Sequence, residues 1–145
     1  MYLAYLVGII MGPLAGDLSN RIGNGAMMAL GAAVFGLSLW ITLIKSLLVI
    51  VASLVGICAG FFAVHASAAG SLNRKLTSSR GRANSLYVLF YYIGGAVGIT
   101  LGGYAYVGAG WLAVTSLGGV ILLLPFGAGI KEMMEEKERT RSSRF

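Results

Sequence analysis

The stretch Ser46-Leu47-Leu48-Val49-Ile50-Val51-Ala52-Ser53-Leu54-Val55-Gly56-Ile57-Cys58-Ala59-Gly60-Phe61-Phe62-Ala63-Val64-His65-Ala66-Ser67-Ala68-Ala69-Gly70 decides the fold class. It contains no Asp, Glu, Lys or Arg. In helical form, at ~1.5 Å per residue, about twenty such residues cover the ~30 Å hydrocarbon core of a bilayer. A lone strand would leave its N–H and C=O groups unpaired in lipid, so the stretch reads as a transmembrane helix.

Similar runs lie on both sides of it, at 2–16, 26–44, 83–107 and 111–130. About five spans result: an all-α, polytopic transmembrane helix bundle, followed by a basic tail at 131–145. The chain is 57% hydrophobic and 11% charged, with mean hydropathy +0.83. Soluble domains carry about 25% charged residues, so a soluble fold with one anchor is excluded. The first run lacks a basic leader and is followed by further spans, which argues against a cleavable signal. It is also short and starts without a polar flank, as expected if further chain precedes it.

A net charge of +6 and a pI near 9.8 would suit a nucleic-acid binder. Here the charges flank apolar runs instead of interleaving with exposed aromatics, so no nucleic acid is expected. Arg21 lies between the first two spans, and Lys45 alone between the second and third. Arg74, Lys75, Arg80 and Arg82 lie between the third and fourth. Only Gly108-Ala109-Gly110 separates the last two, and Lys131, Lys137, Arg139, Arg141 and Arg144 sit in the tail. All basic residues except Lys45 therefore fall on one side. The positive-inside rule makes that side cytoplasmic, with the N-terminus outside, as in a multi-pass protein of the cell (inner) membrane. Tyr2, Trp40, Tyr104, Tyr106 and Trp111 fall near the opposite ends, as an interfacial aromatic belt requires.

Glycines recur four apart at Gly8, Gly12 and Gly16, at Gly56 and Gly60, and at Gly94, Gly98 and Gly102. That spacing puts each set on one helix face where another helix can approach closely, either as fixed packing or as a sliding surface. Gly98→Leu is accordingly expected to disrupt folding or assembly more than Gly118→Leu. His65 is the sole histidine and sits within a span, where an ionisable group is a functional candidate or else a polar packing residue. Tyr87, Phe90, Tyr91 and Tyr92 line a cavity or add packing bulk. The single Cys58 allows no internal disulfide. No hydrolase, zinc-protease, redox or nucleotide-binding signature occurs, so neither enzyme activity, metal nor cofactor is expected.

Asp17 and Arg21 stand four apart in Gly16-Asp17-Leu18-Ser19-Asn20-Arg21-Ile22-Gly23-Asn24, read as a short loop with a polar residue able to cap a helix. Gly16, Leu18, Arg21 and Gly23 resemble the repeated G-x-L-x-D-R-x-G-R loop of the major facilitator superfamily, with Asn20 in place of the acid and Asn24 in place of the last basic residue. Gly81-Arg82-Ala83-Asn84-Ser85-Leu86-Tyr87, Tyr91-Tyr92-Ile93-Gly94-Gly95 and Gly110-Trp111 look like the last two helices of its drug-efflux-type members. The resemblance implies the eighth to twelfth helices of a twelve-helix transporter, a partial C-terminal half. Its activity would be alternating-access efflux of a small molecule, ion-coupled in the complete protein. It makes Gly16, Asn20, Arg21 and Gly23 a gating loop, and Phe61, Phe62, His65, Tyr87 and Tyr91 cavity-lining candidates. Gly8, Gly12, Gly94, Gly98 and Gly102 become packing residues against a missing N-terminal half. Self-association of a small membrane protein without transport is the alternative. The tail is expected to extend as a helix that frays, its positive end touching anionic lipid in the bilayer.

Overall fold

The computed structural model describes residues 3–76 and 79–142, with side chains for 8–76, 79 and 81–142. Tyr2, Thr77 and the last residues of the tail, including Arg144, lie outside the described residues. Four helices account for nearly all of the rest: α1 (Leu3–Ile22), α2 (Asn24–Ile41), α3 (Leu47–Lys75) and α4 (Arg80–Ser142). Helices α2, α3 and α4 are each long and apolar enough to cross a membrane.

With 63 residues, α4 would stretch ~95 Å if straight, about three bilayer cores. It is broken instead at Ala109 (φ −148°, ψ 23°) and Gly110 (φ 70°, ψ −158°). The positive φ is one that glycine adopts without steric cost. The chain reverses there. Before the break Tyr87 and Tyr91 stand beside His65 and Phe61 of α3. After it, segment 111–142 runs antiparallel to α2, with Trp111 Nε1 donating to Thr42 Oγ1 at 2.8 Å near one end and Glu136 meeting Asn24 at the other.

The first connection is shorter than expected from the sequence. The stretch 17–22 is not a loop, because α1 continues through it to Ile22 and only Gly23 interrupts the helix (φ 92°). Backbone bonds Gly23 N–H to Ser19 O and Met27 N–H to Gly23 O run up to the break from both sides. Asp17 and Arg21 form no ion pair with each other or with any other described residue, and both are exposed.

Packing follows the logic of a bilayer, where lipid tails supply no hydrophobic drive between helices and close approach has to do the work. The buried apolar residues are small or flexible: Ala15, Met27, Met28, Ala32, Leu39 and Ala63. Large side chains such as Leu48, Ile99 and Val107 are at least 80% exposed. Helix α2 is the hub. A Cβ on Gly60 of α3 would lie 2.6 Å from the Gly31 carbonyl oxygen and 2.7 Å from Phe35 N. On the other side of α2, a Cβ on Gly129 of α4 would lie 2.7 Å from Ala29 N. Three buried hydroxyls bond within their own helices: Ser53 to Val49 O (2.8 Å), Ser67 to Ala63 O (2.7 Å) and Thr115 to Leu112 O (2.9 Å).

Candidate functional site

Two clusters carry the polar chemistry. The first is an aromatic group between α3 and the start of α4. Phe61, His65, Tyr87 and Tyr91 come together because 61 and 65 share one face of α3, and 87 and 91 one face of α4. The Phe61 and His65 rings are stacked with centroids 5.8 Å apart. Tyr91 meets His65 edge-on at 5.2 Å, and Phe62 meets Phe61 edge-on at 5.4 Å. The Tyr87 hydroxyl lies 2.9 Å from His65 Nδ1. That contact fixes the ring orientation and leaves Nε2 with no hydrogen-bond partner among the described residues. All five cavity-lining candidates of the sequence thus form one patch, offering π faces, one hydroxyl pair and one imidazole edge. No carboxylate takes part. Among the described residues no group of acids, histidines and cysteines could hold a metal ion.

The second cluster joins the basic ends of the helices. Helix α2 begins at Asn24 with Gly23 before it, and Gly23 brings no side chain to cap the free N–H groups of the first turn. Glu136, more than a hundred residues away in sequence, does this instead. Its carboxylate accepts from Asn24 N–H (3.1 Å) and Gly25 N–H (3.4 Å) and from the Arg74 guanidinium at the end of α3 (3.2 Å). A negative group suits the positive end of the helix dipole. A Cβ on Gly23 would push this carboxylate aside, and the φ of 92° is one that glycine adopts without steric cost.

One turn earlier, Glu132 accepts from Ser71 Oγ (2.8 Å) and pairs with Lys75, which also reaches Glu135 at 3.1 Å. Burial of the Glu132 carboxyl disfavours its charge, but the bonds from Lys75 and Ser71 outweigh this and hold its pKa below the usual carboxylate range. The bond to Glu132, then that to Glu135, raises Lys75 above the ordinary lysine value.

The proposed gating-loop residues are placed less tightly. Asn20 and Arg21 are exposed and make no hydrogen bond among the described residues. The buried partners are their neighbours: Ser19 Oγ donates to Asn24 Oδ1. Among the packing glycines, Gly8 sits against the Phe62 ring, while Gly12, Gly16, Gly94, Gly98 and Gly102 have no atom of another helix within 4 Å of a built Cβ. Gly118, by contrast, would bring its Cβ 2.6 Å from Leu39 Cδ2, the tip of a side chain that can turn aside.

Sequence reasoning missed Glu132 and Glu136. They fall in the tail expected to fray, whereas α4 stays helical to Ser142 and turns both onto the bundle. Their spacing of four, set against a helix start with no local cap, was the available signal.

An all-α bundle with a small-residue interior and an apolar exterior defines a multi-pass membrane protein. The chain belongs to the Major Facilitator Superfamily, whose sequence model matches residues 1–141. It is 34% identical over 129 residues to the inner membrane transport protein YnfM of Escherichia coli (strain K12), covering 89% of this chain and 31% of that protein. It is 29% identical over 124 residues to an uncharacterized transporter of Buchnera aphidicola subsp. Schizaphis graminum, covering 86% of this chain and 30% of the relative. An uncharacterized MFS-type transporter of Bacillus subtilis (strain 168), YybF, is 27% identical over 124 residues, 86% of this chain and 31% of its own. The chain thus spans about 30% of the length of these curated relatives. No solved structure matches.

Proposed function

We propose that this chain forms the eighth to twelfth helices of a secondary active transporter. The complete protein would export a small organic solute by alternating access and couple this to an ion. The observation that carries the reading is the open small-residue surface. Among the described residues, no atom of another helix lies within 4 Å of where a Cβ would stand on Gly12, Gly16, Gly94, Gly98 or Gly102, although such rows in lipid favour close helix approach. The N-terminal half of a twelve-helix transporter supplies that partner, and the partial coverage of the relatives agrees with it.

In this reading the patch of Phe61, Phe62, His65, Tyr87 and Tyr91 faces the solute path. The basic ends lie on the cytoplasmic side of the cell (inner) membrane, by the charge asymmetry. Asn20, in the position of the loop acid, offers the other half a hydrogen-bonding group without charge. No carboxylate lies within the spans of this chain, so coupling acids belong to the other half.

Purified alone in liposomes, the chain should show no saturable, gradient-driven uptake. Joined to seven preceding helices it should transport, and His65→Ala should weaken that transport. Saturable uptake by the chain alone, abolished by His65→Ala, would overturn the reading in favour of a self-associating protein.

A further inference from the structure

We infer that the groove at the basic end of the bundle, between Ile22, the end of α3 and the last turns of α4, seats the phosphate of an anionic phospholipid. The inference is independent of the transport reading. The carboxylates that could neutralise this end are committed elsewhere: Glu136 to the start of α2 and to Arg74, Glu132 and Glu135 to Lys75. Arg21, Lys137 and Arg141 line the same groove and have no ion pair among the described residues. Glu138 lies there too, also unpaired among the described residues, and offsets only one of these charges.

The walls identify the occupant. Ile22, Met133 and Met134 line the groove while 44%, 42% and 54% exposed. Inorganic phosphate gains nothing from an apolar wall, whereas a phospholipid lays its glycerol and upper acyl segments against it. Basic pockets between helix ends at the membrane surface suit anionic head groups for this reason. Three cations on two different helices, held by the Glu136 and Glu132 contacts, also form a more fixed seat than three charges on a free tail.

The test is native mass spectrometry of the purified full chain in detergent, titrated with phosphatidylglycerol and phosphatidylcholine. Phosphatidylglycerol should be retained preferentially. Arg21→Gln, and separately Arg141→Gln, should each weaken its binding about fivefold, while Arg21→Lys keeps it. Arg82→Gln is the control, because Arg82 is exposed at the start of α4 but does not line the groove. If Arg21→Gln fails to fold, Lys137→Gln should show the same loss. An equal loss in Arg82→Gln would mean diffuse charge attraction and would overturn the seat. So would equal retention of phosphatidylcholine, or displacement of phosphatidylglycerol by millimolar inorganic phosphate.

Discussion

Glu136 shows how much one side chain does at the junction of the helix ends. It serves as the missing cap of α2 and as the counter-charge of Arg74, so its loss leaves two N–H groups and one guanidinium without an acceptor. Glu136→Gln should lower stability in detergent by about 1 kcal/mol, from the helix-terminus interaction alone. Glu138→Gln, at an exposed residue of the same segment, should be neutral; thermal unfolding of the two variants separates them. The neighbouring Glu132–Lys75 pair makes a pH prediction. Glu132 has a lowered pKa, so its contribution is present above the ordinary carboxylate range and is lost as acid protonates it below that range. Lys75 has a raised pKa, so its contribution is complete below the ordinary lysine value and is lost only at still higher pH. Stability should therefore be flat across neutral pH and fall at both extremes. Glu132→Gln should flatten the acid limb by no more than ~1 kcal/mol, since Lys75 is largely solvated. An unfolding series against pH reads both.

Among the elements, α2 holds the bundle together through glycines that the four-residue rows did not single out. Gly31 meets Gly60 of α3, and Gly25 meets Gly129 and Met133 of α4, in contacts with no room for a Cβ. Gly31→Leu or Gly129→Leu should abolish folding of the chain, seen as loss of a monodisperse peak in detergent. Gly98→Leu should be tolerated in the chain alone and can even favour the helix by up to ~1 kcal/mol, the propensity cost of glycine. In a complete transporter the same substitution should be damaging, because the other half would meet it there. A Gly98→Leu variant that unfolds the isolated chain as readily as Gly31→Leu would contradict this assignment. Removing 139–145 should leave membrane insertion intact, because the apolar run of α4 ends near Ile130, checked by fractionation.

For the whole molecule, orientation is the property most directly open to test. A reporter active only in the cytoplasm should work after Phe145 and fail near Lys45 and Ala109. Activity at Lys45 would reverse the assignment drawn from charge. The structure groups Arg21, Arg74, Lys75, Lys137, Arg139 and Arg141 around one groove, while Lys45 lies in the connection at the opposite ends of α2 and α3. Trp111 and Thr42 bond at the end away from that cluster, close to the exposed Trp40.

The resemblance named Phe61, Phe62, His65, Tyr87 and Tyr91 as candidates; by itself the sequence determined the helical membrane class, the apolar segments and which residues share a helix face. These properties are local or periodic: hydropathy sets a span, and spacing of four sets a face. Only the tertiary structure decided which glycines touch a neighbouring backbone. Spacing identifies a face but not the partner it meets, so Gly31 and Gly60 pack within the chain while Gly94, Gly98 and Gly102 remain open. It also decided the role of Glu132 and Glu136. A carboxylate in a charged tail looks solvated until folding brings it to a helix start more than a hundred residues away, where uncapped N–H groups and Arg74 await an acceptor.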